Sequence, residues 1–225
     1  MATTSIRTLV TGVLGSAAVL GATLALGSAR AQVPAMPKTA PGVPIAAQVE
    51  SGAYDLDPTH SQLMWRVNHL GFNDYFGLVG GETGKLVLDT HAMANTRVEA
   101  TIPLAKVVTV DPKLTAHLLR PGADGAKPDF FGPTPADAHF VSTRVIRTGA
   151  TTARILGNLT MNGVTRPIEL AAQFVGTGPN PFIKGRDLGF HATAQLKRSE
   201  FGLGFFVPLV SDEVHFELSI NFHKA

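Results

Sequence analysis

The chain contains no cysteine. That excludes disulfide staples, thiol nucleophiles and cysteine metal sites at once, so the fold has to be held by its core. Charge is also sparse, at 16% of residues, and no basic run occurs, so no nucleic-acid partner is expected. Tight metal spacing is missing too: there are eight histidines but no H-E-x-x-H. A metal site from His60, His69 and His117 is geometrically open but has no spacing to support it, so no metal is expected. No G-x-S-x-G, G-x-G-x-x-G or phosphate-binding loop appears. The spacing of carboxylates identifies no acid–base pair; Glu82 has inward parity, but one acid is not a mechanism. With no catalytic constellation and no cofactor motif, an enzyme is not expected.

The N-terminus sets the compartment. "MATTSIR" precedes an apolar stretch over residues 8–26, and "GSARAQ" offers a small-x-small cleavage site ending at Ala31. Residues 1–31 therefore read as a secretory signal peptide, and the protein as bacterial and periplasmic or secreted. A retained membrane anchor is the alternative; the glycines within the stretch and the processing site speak against it. No cysteine follows, which excludes a lipoprotein anchor. Arg7 and Arg30 leave with the peptide, so 19 basic residues become 17, against 17 acidic ones. The mature chain has no second long apolar run, so no stable membrane anchor is expected after cleavage. Residues 32–50 carry four prolines and no hydrophobic period, and read as a disordered or extended tether. The folded domain is expected over 51–225.

What is present there is alternation with period two. In "VHFELSINF", Val214, Phe216, Leu218, Ile220 and Phe222 share one face and His215, Glu217, Ser219 and Asn221 the other. The stretches "RVEATIPL", "PIELAAQF" and "GFHATAQLKR" repeat the pattern, "MNGV" is an Asn-Gly hairpin turn and "GTGPNPF" reads as a loop. One wet face per strand means antiparallel pairing. About eight or nine strands joined by short turns predict an all-β, eight-stranded antiparallel barrel, with a sandwich as competitor. Residues 111–139 interrupt it: a short helix is expected near Lys113 to Leu119, followed by a long Pro/Gly-rich loop of the kind that serves as a lid.

Spacing alone leaves open whether such a barrel is hollow. Gly80, Gly84, Ala100, Gly157, Ala172, Ala192 and Ala194 have inward parity, and small inward residues leave volume. Phe72, Phe76, Phe130, Phe131, Phe201, Phe205 and Phe206 lie at strand ends and in loops, where aromatics line the mouth of an apolar pocket or plug a barrel end. Two polar residues break the inward face. His69 continues the apolar side of Leu63, Trp65 and Val67, and Arg198 that of Phe190, Ala192 and Leu196. A satisfied structural histidine and a rim ion pair are the plain readings; contacts to a ligand head group are the functional ones.

Four ordered stretches carry a family resemblance: "YDLDPTHSQLMWRVNHLGFNDYFGLVGGETGKLVLD", "AHFVSTRV", "GNLTMNGVTRPIEL" and "KRSEFGL". Over 52–225 the chain resembles YceI-like proteins. The resemblance implies a lipocalin-like barrel around an elongated apolar cavity, and a periplasmic carrier for a long apolar lipid. Isoprenoid quinones, prenyl pyrophosphates, fatty acids and their amides are the ligands it implies. The candidate contacts are Trp65, His69, Phe72, Phe76, His117, Phe130, Phe131, Phe190, Arg198 and Phe201. One stretch departs from the family pattern: Leu114-Thr115 stands where arginine-aspartate is usual, and residues 121–127 are extra. That loop is expected to border the pocket and to bear on ligand identity. An enzyme acting on an isoprenoid or lipid substrate inside the barrel stays open as the second reading and a filled-barrel interaction module as the third, and so does a homodimer.

Overall fold

The computed structural model describes residues 36–224. Eleven strands form one sheet: β1 (Gly52–Leu56), β2 (Gln62–His69), β3 (Asn73–Gly80), β4 (Thr83–Leu88), β5 (Arg97–Ile102), β6 (Val108–Thr109), β7 (Ala138–Arg147), β8 (Thr152–Met161), β9 (Val164–Pro179), β10 (Arg186–Lys197) and β11 (Glu213–Lys224). The order is β1-β4-β5-β7-β8-β9-β10-β11-β2-β3-β6, and β1 also pairs with β11, which closes the sheet.

Register explains why eleven strands make an eight-stranded wall. Both β1 and β2 run antiparallel to β11 on consecutive lengths of it, Leu56 opposite Phe222 and Gln62 opposite Ser219. Similarly, β4 pairs with β1 and β3 with β2, so β3 and β4 form one long strand broken at Gly81–Glu82. Beyond that break β5 flanks β4, and β6 takes over beside β3. The result is the expected closed, eight-stranded antiparallel barrel.

Alternation drives the closure. Along β11, Val214, Phe216, Leu218, Ile220 and Phe222 all turn inward, as the sequence pattern requires. The Asn162-Gly163 turn joins β8 and β9 with φ of 51° and 74°, the left-handed pair that matches hairpin twist. The helix α1 (Pro112–Leu118) starts with Asp111, whose side chain accepts from the Lys113 N–H at 2.9 Å, and with proline in its first turn.

Two expectations differ from the structure. "GTGPNPF" is not all loop: β9 runs to Pro179. Gly178 leaves no room for a Cβ because the Pro41 carbonyl sits there, and Val43 exchanges two hydrogen bonds with Thr177, of 2.9 and 3.0 Å. So the segment read as a tether is docked here, with Ala46 and Val49 packed on the cluster of Tyr54, Leu188 and Phe222. The proline-rich composition signalled absence of periodicity, not absence of contacts. The signal peptide expected over 1–31 lies outside the described residues.

Candidate functional site

The barrel is hollow. A cavity of about 800 Å³ runs through it, lined by the inward residues of all the long strands. That size is within the range of small-molecule sites, and its walls are apolar at nearly every position. Ala100, Ala172, Ala192 and Ala194 border it, so the alanines do leave volume. Two of the glycines act differently. The Phe140 ring fills the place of a Gly157 Cβ, and Gly84 lies against the β5 backbone at Glu99 and Ala100. They allow close approach, which a parity count alone reads as empty space. Gly77 likewise yields its side-chain position to the Trp65 ring opposite it.

The end of the barrel that carries the β9–β10 loop is filled by Tyr54, Leu56, Phe174, Leu188 and Phe222 with their neighbours. Phe190 meets Phe174 and Phe222 edge-to-face at 5.8 and 6.1 Å. The opposite end is the mouth. There α1, Phe130 and Phe131 face the loop between β10 and β11. His117 packs edge-to-face on Phe130 and Phe205 at 5.3 and 5.7 Å, and Phe205 on Phe206 at 4.5 Å. The His117 Nε2 lies 2.8 Å from Asp129, which also accepts from Arg120 at 2.8 Å. Those two bonds, Arg120's first, hold the Asp129 carboxyl below the usual carboxylate range.

Seven of the ten candidate residues line the cavity: Trp65, His69, His117, Phe130, Phe131, Phe190 and Arg198. His69 is at the mouth, where its backbone bridges to Val210. The other three lie elsewhere. Phe72, 85% exposed, tips the β2–β3 hairpin; Phe76 is on the outer face of β3; Phe201 is fully buried in the wall cluster with Phe140 and Leu203. Residues 121–127 contribute nothing to the lining either; the insertion stands outside the cavity, and its neighbours Leu114, Leu118 and Phe130 border it. Phe205 and Phe206, read from the sequence as aromatics of a mouth or a plug, do line the mouth, and so does Val210, from a loop with no period to reveal it.

Arg198 has neither an acidic partner in contact nor an open guanidinium. It is 5% exposed and donates to four backbone carbonyls: Ser211 at 2.9 Å, Phe205 and Val210 at 2.8 Å, and Leu203. Burial lowers its pKa and nearby Asp212 opposes that shift. The side chain is thus a pin through the β10–β11 loop, and it fixes the residues that rim the mouth.

Glu82 is the reverse case. It sits in the break between β3 and β4, borders the cavity and is 2% exposed. Neither carboxyl oxygen has a hydrogen bond of normal geometry. Burial raises its pKa; the N–H groups of Glu82 and Leu63 and the charge of Lys106 oppose that only in part. Among the described residues no helix is long and apolar enough to cross a membrane, and no three potential ligands gather as a metal site.

The model of the YceI-like domain matches residues 54–222. A UPF0312 protein of Ectopseudomonas mendocina is 31% identical over 180 residues, covering 79% of this chain and 90% of that protein. A UPF0312 protein of Pseudomonas paraeruginosa is 33% identical over 180 residues, covering 78% and 89%. Among solved structures, BcnA of Burkholderia cenocepacia superposes with a TM-score of 0.61 at 19% identity, covering 74% of this chain and 98% of that one. A polyisoprenoid binding domain from Saccharophagus degradans gives 0.52 at 12% identity, covering 78% and 100%. At such identities the structures establish the shared barrel, and the family match rests on the sequence. This chain belongs to the YceI-like family.

Proposed function

We propose that the protein is a periplasmic binding and carrier protein that holds one long apolar lipid, a polyisoprenoid or a fatty acid or amide, in its barrel. The observation that carries this reading is the apolar cavity of about 800 Å³. At about 30 Å³ per solvent-sized group, that volume takes on the order of 25 non-hydrogen atoms. The polyisoprenoid binding domain of Saccharophagus degradans, which shares the fold, supports the choice of ligand class.

Tail burial supplies affinity but little choice. At ~0.8 kcal/mol per methylene, each five-carbon unit contributes roughly 3–4 kcal/mol. A few units nominally approach the ~18–21 kcal/mol ceiling of non-covalent binding, before chain entropy reduces the sum. Discrimination therefore falls to chain length and to the polar groups that touch the cavity.

The test is extraction. Protein exported from its own host is purified without detergent, weighed intact by native mass spectrometry, then extracted with organic solvent. A stoichiometric long-chain lipid recovered unchanged supports the carrier. A ligand converted on incubation supports the enzyme reading. A bare chain mass with an empty extract sinks the proposal and leaves an interaction module. Fractionation of the host cells tests the compartment.

A further inference from the structure

The rim of the mouth is apolar on its outer side as well. Leu70 and Phe72 at the tip of the β2–β3 hairpin, and Phe206, Val207 and Leu209 in the β10–β11 loop, are all exposed, Phe72 the most. Backbone bonds join the two loops into one ledge. The Asn68 N–H donates to the Ser211 hydroxyl and the Ser211 N–H to the Asn68 carbonyl, both at 2.9 Å; His69 bridges to Val210, and the Leu70 N–H donates to the Leu209 carbonyl at 2.8 Å. Neither loop carries a fixed charge: residues 67–73 and 201–211 contain no aspartate, glutamate, lysine or arginine. The ledge is also continuous with the cavity. Phe206 is both exposed and part of the lining, and the lining residues His69 and Val210 adjoin exposed Leu70 and Leu209.

Turn chemistry argues against a purely structural role for these side chains. Leu70 and Gly71 have φ of 58° and 74°, the left-handed pair that Asn162 and Gly163 form in the β8–β9 hairpin. Such a turn favours asparagine in its first place, and a bulky leucine is strained there. Leu70 is exposed, so packing within the protein does not offset the strain. An apolar ledge that no neighbour among the described residues covers fits a bilayer. Without fixed charges it loses no ion hydration on entering the headgroup region, and aromatic rings favour that depth. A lipid that crosses it keeps its tail out of water between cavity and membrane. We propose that the mouth rim is a membrane-docking surface: its five exposed apolar side chains insert into a phospholipid bilayer, and the lipid passes through the seated mouth. This rests on the lipid-carrier reading and adds the surface through which the cargo moves.

The filled end of the barrel supplies the control, because Phe182 in the β9–β10 loop is 74% exposed too. Wild type, Phe72→Asp and Phe182→Asp, each purified from the host, are floated through a density gradient with vesicles of phosphatidylethanolamine and phosphatidylglycerol. The wild type is expected to float with the vesicles equally at about 0.1 M and about 1 M salt, since no charge pair is there to screen. Phe72→Asp should lower the partition coefficient at least about tenfold, and Phe182→Asp should leave it within about twofold. Phe72→Ser serves, with a loss in the same direction, if the aspartate variant fails to fold. Three results overturn the inference: a wild type that does not float, an equal loss in both variants, or a dimer in sedimentation velocity that Phe72→Asp dissolves while vesicles go unbound. In each, lipid still extracted from the protein leaves the carrier reading intact. An empty extract overturns that reading, whether or not vesicles bind.

Discussion

Replacing Arg198 by methionine should cost the protein much of its stability and loosen its mouth. The guanidinium donates to the carbonyls of Leu203, Phe205, Val210 and Ser211 from a site 5% exposed. Methionine fills comparable apolar volume and donates nothing. Leaving a buried carbonyl without a partner costs about 1–3 kcal/mol. Of the four, Leu203 is held in the buried wall cluster, whereas the other three bonds are only partly shielded, so water recovers part of their loss. Relief of the buried charge offsets some of the remainder. The expected net loss is about 3–5 kcal/mol, which lowers the melting temperature by roughly 6–20 °C for a chain of this size. Urea denaturation should show an earlier midpoint with an unchanged slope, since the folded surface is the same. Arg198→Lys, a point charge with three donors, cannot reach four acceptors and should recover less than half. Limited proteolysis should then cut within residues 202–212, where Phe205, Phe206 and Val210 rim the cavity. A methionine variant within about 1 kcal/mol of wild type, with the loop still resistant, would show that the four bonds do not hold this loop.

Other outcomes follow from placement and charge. Phe201→Ala, at a fully buried ring, is expected to lose about 3–5 kcal/mol in a denaturant melt, whereas Phe72→Ala, at an 85% exposed one, stays within about 0.5 kcal/mol. Ala192→Phe places a ring in the cavity, so intact-mass titration should show a long-chain lipid at least about tenfold weaker while a short fatty acid still binds. Glu82 keeps its proton to higher pH in the folded chain than unfolded, where the value is 4.5. The folded state therefore binds more protons above that pH, and stability falls as pH rises from 4.5 through the raised value. Glu82→Gln lacks this loss, so its stability relative to wild type should improve as pH rises above 4.5 in paired melts. His60, raised by its bond to Asp57, stabilises below its ordinary value of 6.5 and loses that as pH rises, but equally in both proteins, so it cancels.

Sequence and structure agree where side chains obey the pleat. Trp65, His69 and Phe190 were legible as inward residues because each belongs to a run of alternating apolar positions, and the strand turns every second residue to the same side. Phe76 follows the same rule in reverse: it neighbours inward-facing Tyr75, and its parity already assigns it outward, against the expectation that grouped it by residue type. Phe201 lies in a 3-10 turn (Arg198–Phe201) with a three-residue period, so neither strand parity nor proximity to the mouth locates its ring. Phe205, Phe206 and Val210 reach the cavity only because Arg198 gathers the carbonyls of their loop.

By itself the sequence determined antiparallel strands, the inward face of each and the family, since alternation, turn chemistry and ordered motifs are local properties; closure into a barrel and not a sandwich rests on the pairing of β1 with β11. Whether the barrel is hollow was decided in three dimensions. Alanines leave room only if no ring from another strand enters it, and Phe140 does enter over Gly157 whereas nothing fills the space beside Ala172 and Ala192. The states of Arg198 and Glu82 were decided there too. Both are charged residues with inward parity, yet the guanidinium of Arg198 meets four carbonyls of the loop that follows it, whereas neither Glu82 oxygen has a hydrogen bond of normal geometry, because the path a loop takes back over its own strand end is set by packing and not by residue spacing.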